Sequence, residues 1–462
     1  MNMRMQYLML VLLGLFALGA LGCSSSSSSD SDNGGGNGDP GPVADLRAFH
    51  ASPDAGPVDI YVGGDLVLDD VAFPMASPYL EVPATDLTVQ IVPAGGELDD
   101  AVIEETVTPS EGGQYSFIVW GSVEAGNLAT AVIDDSNEGV ADGFIKIRPA
   151  HLAVGAPEVD LYVTGIDDDL GDATPVAAGL EFGDIAESYI EAPAEVSRLR
   201  VTVAGTTDVV YDYVANFPDF AGASLLAAAL NTSEGFSPIL IGAATGSDSL
   251  PFLPLVDQQS ELRVVHGSPD AGPVTVEVQR SGEDNNWMAL TTGLAYREDT
   301  GYLRVLGDLE YDARVFLEDA GVYVDLDPVS PEPGQAYSVF ALGSVGDDTV
   351  VFLLEGDRTG PADDGEAELR AVHGIAEGPT VDVVADGAVT VVADLEERTA
   401  SGFAAVPADE YSVEVVTSDG GNNVIGPLTL DLMDGTVYTA IALPVDEDEQ
   451  NEPNLLILID RE

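Results

Sequence analysis

Internal repetition constrains this chain more than any other feature. The chain has four histidines, and each of them lies three residues after an arginine in an apolar segment. The four pairs are Arg47 and His50, Arg148 and His151, Arg263 and His266, and Arg370 and His373. Because chance would not place every histidine of a chain in one frame, the spacing predicts four copies of one structural unit.

A second shared position follows each histidine. Nine residues after it stands an aspartate in three of the copies, Asp59, Asp160 and Asp382, and Thr275 in the remaining one. The late part of the unit is also repeated, as Gly-Gln-Tyr-Ser-Phe at 113–117 and in related form further along the chain. Copies that recur at about 100 to 115 residues are complete domains, since solenoid repeats span only about 20 to 50 residues.

Short alternating segments separated by Gly, Pro and Asp make up each copy. Leu87–Val92 and Tyr411–Val416 alternate apolar and polar residues with a period of two. This pattern predicts an all-β fold of four tandem β-sandwich domains, because no copy contains a convincing amphipathic helix. The predicted domains span residues 43–138, 139–257, 258–361 and 362–462, and the second copy diverges most from the others.

One segment resembles a known family. The run His-Ala-Ser-Pro-Asp-Ala-Gly-Pro-Val-Asp-Ile-Tyr-Val at 50–62 resembles the opening of the Domain of Unknown Function 4397 family, and it returns nearly unchanged at 266–274. The fourth copy matches in part, and the second lacks Ser-Pro-Asp. The resemblance implies immunoglobulin-like sandwiches in bacterial envelope or secreted proteins. It implies no established activity and no catalytic residues.

The first residues have the pattern of an export signal. Residues 1–22 hold one basic residue and an apolar run that is short for a membrane span of about 20 residues. The run ends at Ala20-Leu21-Gly22-Cys23, which resembles a lipobox, and Cys23 is the only cysteine of the chain. We expect lipidation of Cys23, although a plain secretory signal with an incidental cysteine is the alternative.

The segment that follows predicts a tether. Residues 23–42 are rich in Ser and Gly, a composition typical of flexible linkers. Ser24 after the cysteine favours sorting to the outer membrane. The expected location is therefore the cell envelope, with the lipid on Cys23 holding the protein to the outer membrane.

The excess of acidic over basic residues limits the classes of partner that the protein can bind. The chain has 81 acidic and 15 basic residues, a formal net charge of −66. Such a field repels nucleic acid, so we expect no nucleic-acid partner. The charge could serve solubility in a saline habitat, weak and distributed binding of divalent cations, or specific binding sites.

Strand alternation assigns roles to the repeated residues of the first copy. Leu46, Ala48 and His50 fall on the core face, so we expect a structural histidine that bonds the following loop. A metal ligand or a general base is the functional alternative. Arg47 falls on the opposite face, and we expect it to pair with Asp59 on a neighbouring strand. Thr275 at the position of Asp59 indicates that such a pair is dispensable.

Calcium is the only cofactor that the sequence suggests. The loop Asp167, Asp168, Asp169 and Asp172 gathers the oxygen ligands that calcium prefers, and residues 30–34 resemble a calcium loop without its distal glutamate. With acids so abundant, such clusters also arise by chance. We therefore expect no metal site, with this loop as the candidate to test.

These features favour a non-enzymatic envelope protein. The sequence lacks a nucleophile elbow, a Gly-rich phosphate loop and a His-Glu-x-x-His segment. We expect tandem modules that serve binding, adhesion or spacing at the cell surface, with an unidentified extracellular or periplasmic partner. The alternatives are a divalent-cation-dependent adhesin or matrix component, and an enzyme with its site between domains.

Overall fold

Regular structure in this protein is almost entirely β. The structure is a computed structural model, and it describes residues 41–136, 139–232, 236–245, 251–444 and 455–462. In these ranges the strands form eight sheets, arranged as four facing pairs. The helices there are three short 3-10 helices, Leu98–Asp100, Leu170–Asp172 and Phe217–Phe220. The prediction of an all-β chain of tandem sandwiches is confirmed.

The first two sheet pairs are called domains 1 and 2. Domain 1 consists of β1 (Val43–Ala51), β2 (Val58–Val62), β3 (Asp65–Val71), β4 (Met75–Ala76), β5 (Leu80–Pro83), β6 (Leu87–Pro93), β7 (Ile103–Val107), β8 (Gln114–Trp120) and β9 (Ala129–Asp134). Domain 2 consists of β10 (Phe144–His151), β11 (Val159–Thr164), β12 (Ala177–Leu180), β13 (Ile190–Pro193), β14 (Val196–Val203), β15 (Val209–Asn216), β16 (Ser224–Asn231), β17 (Ile239–Ala244) and β18 (Phe252–Leu255).

The other two pairs are called domains 3 and 4. Domain 3 consists of β19 (Gln259–Gly267), β20 (Val274–Arg280), β21 (Met288–Leu294), β22 (Leu303–Leu306), β23 (Tyr311–Leu317), β24 (Val322–Asp325), β25 (Ala336–Leu342) and β26 (Val351–Asp357). Domain 4 consists of β27 (Glu366–His373), β28 (Val381–Ala385), β29 (Val389–Leu395), β30 (Ala404–Pro407), β31 (Glu410–Thr417), β32 (Asn423–Asp431), β33 (Val437–Ala442) and β34 (Leu455–Arg461).

All four domains share one core topology, to which domain 2 adds β18 at the edge of one sheet. The first strand of each domain lies inside a sheet that we call sheet A, and the second strand lies in the facing sheet, sheet B. In sheet A of domain 1, β1 pairs antiparallel with β5 and parallel with β8, which places Arg47 opposite Ser116. In sheet B, β2 lies between β3 and β6. The loop after the histidine therefore crosses from one sheet to the other and does not close a hairpin.

The core of each domain lies between its two sheets. In domain 1, Leu46, Ala48 and Phe117 of sheet A pack against Ile60 and Ile91 of sheet B. Alternation along β1 thus places Leu46 and Ala48 on the core face, as the sequence predicts.

The outer face of sheet A is also buried, because the domains pack in pairs through it. In domains 1 and 2, Phe49 and Ile118 pack against Leu152 and Leu226. In domains 3 and 4, the same kind of contact joins the residues Val265, Phe340, Leu342, Val372, Ile441 and Leu443. The first strand of each domain is therefore buried on both faces, and its polar residues are buried together with the apolar ones.

Candidate functional site

The repeated arginines meet buried carboxylates at the interface between paired domains. Between domains 3 and 4, Arg263 Nη2 lies 2.7 Å from Asp460 Oδ1, and Arg370 Nη2 lies 2.6 Å from Asp357 Oδ1. Each arginine also lies 3.8 Å from the other aspartate. Because each domain contributes one arginine and one aspartate, the four side chains form a reciprocal network, all at most 2% exposed.

Hydroxyl groups complete this network. Ser338 and Thr439 lie opposite the two arginines on the parallel neighbouring strands. Ser338 Oγ donates to Asp357 over 2.5 Å, and Thr439 Oγ1 donates to Asp460 over 2.6 Å. Tyr302 donates to Asp357 over 2.7 Å. Burial raises the pKa of Asp460, and the charges of Arg263 and Arg370 and the hydrogen bond from Thr439 oppose that rise.

Domains 1 and 2 contain a simpler version of the network. Arg47 Nη2 lies 3.3 Å from Asp135 Oδ2, and both side chains are 1% exposed. Tyr79 of domain 1 and Tyr189 of domain 2 both donate to Asp135, over 2.9 and 3.1 Å. Arg148 of domain 2 stacks on Tyr189, with its Cζ 4.4 Å from the ring centroid. One aspartate therefore links the two domains.

The expected pair of Arg47 with Asp59 is wrong. The two residues lie in opposite sheets, because β1 belongs to sheet A and β2 to sheet B. Arg47 is 1% exposed, since the face that alternation turns away from the core is covered by domain 2. Its charge is met by Asp135, which follows β9 in its own domain.

The repeated aspartates on the second strands tie together the turns of sheet B. Asp59 accepts hydrogen bonds from the backbone N–H groups of Asp70 and Gly95, over 2.8 and 3.0 Å. Asp160 accepts from Gly179 and Gly205 in the same way. In domain 4, Asp382 accepts from the backbone of Asp394 and from the hydroxyl of Ser418.

At the corresponding position of domain 3, Thr275 makes a different bond. Its hydroxyl donates to Glu318 over 3.0 Å. Turn bonding explains the recurrence of the aspartate and assigns it a structural role.

The aspartate of the Ser-Pro-Asp motif fastens a turn. Asp54 accepts from Ser122 Oγ and from the N–H groups of Val123 and Glu124, over 2.7 to 2.9 Å. These bonds, the one from Glu124 first, lower the pKa of Asp54 to about 2. Asp270 makes the same set of contacts in domain 3. The motif therefore joins the loop after the first strand to the turn after β8 or β25.

The four histidines are buried and bonded within their own domains. All four are at most 2% exposed. Nε2 of His50 lies 2.8 Å from the carbonyl oxygen of Gly56, and the other three histidines contact the equivalent carbonyl. Nδ1 of His50 accepts from the N–H of Ser52 over 3.3 Å. Burial lowers the pKa of His50, against the bond to Gly56, so the ring is neutral with its proton on Nε2. The prediction that these rings face inward and bond the following loop is confirmed; their structural role stays a prediction.

We expect the substitution His50→Ala to lower the free energy of unfolding of domain 1 by about 1–3 kcal/mol, because it leaves buried loop groups unpaired. Chemical denaturation of the full chain measures the loss, with the exposed Glu111→Ala as control. A melting temperature that rises with zinc in the wild type and not in His50→Ala would contradict the structural role.

Three carboxylates of the candidate calcium loop are bonded to groups of the protein. Asp167 lies 2.7 Å from Arg280 of domain 3. Asp168 and Asp169 accept from the backbone N–H groups of Gly165 and Gly171. Across the ranges that the structure describes, no group of three or more His, Cys, Asp or Glu side chains is arranged to hold a metal ion. Residues 30–34 lie outside those ranges.

The junction between domains 2 and 3 centres on a buried aspartate. Asp257 lies between β18 and β19, is 1% exposed, and accepts from the N–H groups of Asp212 and Gln259 over 3.0 and 3.3 Å. Burial raises its pKa from 3.8 to about 6, and those two bonds oppose the rise. Gln258 strengthens the junction, since its Oε1 accepts from Val214 N–H over 2.8 Å.

This junction predicts a dependence of stability on pH. Because the pKa of Asp257 is higher in the folded chain, the stability gained from its protonation is full below pH 3.8 and is lost as the pH rises through about 6. The substitution Asp257→Asn should raise the free energy of unfolding at neutral pH by about 1–3 kcal/mol and add much less near pH 4.

Urea denaturation across this pH range measures the difference. The exposed Asp284→Asn is the matched control, since it makes the same charge change outside the junction. An equal gain from Asp257→Asn at both ends of the range would contradict the assignment.

Sequence reasoning did not find the partners of the arginines. Asp135, Asp357 and Asp460 each lie within one residue of the end of the last strand of their domains. The hydroxyls of Ser116 and Ser338 lie within the repeated Gly-Gln segments. The sequence does carry a signal for these partners, an acidic residue that recurs near the end of the last strand of each domain. It is hard to recognise because acidic residues are abundant throughout the chain.

The predicted lipidation site, Cys23, lies outside the described residues, together with the rest of the export signal. In the part of the chain that the structure places, no helix has the length and apolar character needed to cross a membrane.

Solved structures resemble this chain only weakly. "Alpha-glucan binding by a streptococcal virulence factor" is 13% identical over 39% of this chain and 91% of that chain, with a TM-score of 0.16. A pneumococcal glycogen-degrading virulence factor, SpuA, is 10% identical over 62% and 37%, with a TM-score of 0.16. "The Bacillus anthracis TIE protein" is 10% identical over 84% and 66%, with a TM-score of 0.17. Similarity at this level indicates neither a shared fold nor a shared ligand.

A family match covers more than half of the chain. No curated protein matches the sequence significantly. The family described as Domain of unknown function (DUF4397) matches residues 44–162, 260–384 and 367–462. These ranges include domains 1, 3 and 4 and leave most of domain 2 unmatched, in agreement with the divergence of the second copy. The chain belongs to the DUF4397 family, of which it carries tandem copies.

Proposed function

We propose that this protein is a non-enzymatic lipoprotein of the cell envelope that presents a fixed array of β-sandwich modules at the cell surface, for binding or spacing. The observation that carries the proposal is the burial of charged residues at every junction between successive domains. Arg47 and Asp135, Arg263 and Asp460, and Asp257 are each at most 2% exposed at these junctions.

Such junctions favour a fixed arrangement over a string of independent domains. At the junctions of domains 1 with 2 and of domains 3 with 4, the buried ion pair requires its partners in one geometry, because each charge left unpaired in the interior is costly. The apolar residues packed around Phe49 and Phe340 stabilise two of the junctions further. A fixed array suits a protein that holds a surface at a set distance from a membrane.

The repeated polar residues support a role without catalysis. His50, Asp54 and Asp59 all bond to groups of their own domain. A general base or nucleophile needs a polar atom that faces bound substrate. The net charge of −66 suits a protein exposed to a saline medium, where carboxylates keep it soluble.

The anchor is tested by the substitution Cys23→Ala. In a Gram-negative host, the full-length wild type should incorporate a labelled fatty acid and fractionate with the outer membrane. The Cys23→Ala variant should lose the label and leave the membrane fraction, while Ser29→Ala should behave as the wild type. A Cys23→Ala variant that stays in the outer membrane would overturn the anchoring.

Surface presentation is tested separately, by protease treatment of intact cells that produce the wild type. We expect cleavage of the anchored protein without permeabilisation of the outer membrane. Cleavage only after permeabilisation would place the modules in the periplasm and contradict presentation at the surface.

A further inference from the structure

Domain 3 contains a large cavity between its two sheets. Its volume is about 680 Å³, whereas the equivalent spaces in domains 2 and 4 measure about 30 and 20 Å³. Pockets that hold small molecules span about 300–1,000 Å³. The same fold therefore has a packed core in two of its copies and a space of ligand size in a third.

Two positions of sheet A that line this space carry larger side chains in domain 1. In domain 1, Phe117 lies beside Ala48 and Val119 beside His50, and both fill the core. In domain 3, the positions in the same register are Val339, beside Val264, and Ala341, beside His266. Val339 and Ala341 both line the cavity.

The interior of the cavity is suited to hydrocarbon. Its lining comes from both sheets and is mainly Val, Leu and Ala. The polar groups there are already bonded within the protein. His266 Nε2 contacts the carbonyl oxygen of Gly272 at 2.8 Å, its Nδ1 accepts from Ser268, and the Tyr311 hydroxyl donates to Leu306. A ligand inside would find no free hydrogen-bonding partner among these groups, which favours an alkyl chain.

The cavity opens beside carboxylates. Its lining reaches the edge strands β24 and β26, where Leu354 is 45% exposed. Asp325, Asp327 and Asp348 lie along this part of the lining and are exposed. Their charges would repel the head group of a fatty-acid anion and attract a cation.

We propose that domain 3 binds the alkyl chain of a single-chain amphiphile between its sheets, with a neutral or cationic head group at the carboxylate-lined edge. The alkyl chain displaces water from the apolar lining, which supplies the affinity. The carboxylates select the head group. This site does not depend on the envelope function proposed above.

The test is calorimetric titration of the full chain with three probes of equal chain length: dodecylamine, 1-monolauroylglycerol and laurate, each below its micellar concentration. We expect one equivalent of amine or monoacylglycerol to bind, and laurate to bind at least about tenfold more weakly at low salt. High salt should reduce the difference in affinity between dodecylamine and laurate, because it screens the carboxylate charges. Binding of laurate as tight as that of the amine at low salt would overturn the head-group assignment.

Two variants place the residues of domain 1 at these lining positions. Val339→Phe should sharply weaken binding, and Ala341→Val, which adds only two methyl groups, should weaken it measurably. The matched control is Val322→Phe, the same substitution at a position that is 49% exposed on β24, and it should bind as the wild type. If Val339→Phe does not fold, the smaller Ala341→Val decides. Failure of all three probes to bind the wild type, or full binding by both of these variants, would overturn the proposal.

Discussion

Replacing Arg370 with leucine is expected to lower the free energy of unfolding of domains 3 and 4 by about 3–5 kcal/mol. Arg370 is 1% exposed, lies 2.6 Å from Asp357 and donates to the hydroxyl of Thr439. Leucine restores part of the packing, but it leaves the Asp357 carboxylate without its nearest cation in the closed interface. A lone buried charge of this kind is among the most destabilising changes that a single substitution can make.

Urea denaturation of the full chain measures this loss, and two further variants test its cause. Arg358→Leu removes an arginine whose side chain is 51% exposed and pairs with Glu368, so its cost should be about 0–1 kcal/mol. The double variant Arg370→Leu/Asp357→Leu should lose less than the sum of the two single variants, because neither charge of that pair is left behind. Additive losses would show that the two residues are not coupled.

The substitution Phe340→Ala is expected to lower the free energy of unfolding by about 3–5 kcal/mol. Phe340 is fully buried on the outer face of sheet A, where it packs with Val372 and Ile441 of domain 4. Its ring also lies 5.4 Å from the guanidinium carbon of Arg370. Alanine removes packing from both domains at once, so the two domains should lose part of their cooperativity as well as stability.

The matched control is Phe316→Ala, on β23 of the same domain. Phe316 is half-buried and contacts Tyr323 on sheet B. We expect Phe316→Ala to lower the free energy of unfolding by less than Phe340→Ala does, and to leave the cooperativity between domains 3 and 4 unchanged. Calorimetry of the full chain distinguishes the outcomes, since separate transitions for the two domains should appear only with Phe340→Ala. Equal effects of the two substitutions would contradict the interface assignment.

The sequence alone determined the repetition, the all-β class and the inward position of the histidines. Each of these rests on a local rule. Alternation with a period of two places Leu46, Ala48 and His50 on one face of β1 whatever lies around the strand. The turn residues between the short apolar segments separate one strand from the next.

Only the tertiary structure decided what covers the other face and which acid meets Arg47. Ser116 and Arg47 are bonded across 69 residues of chain, through a parallel pairing that no local pattern specifies. From the sequence alone, an arginine on the strand face opposite the core is predicted to be exposed to solvent, because a charge in the interior is costly unless it is paired. Here domain 2 covers that face and Asp135 supplies the pairing. Alternation distinguishes the two faces of a strand, but the association of distant strands and domains determines which face meets water.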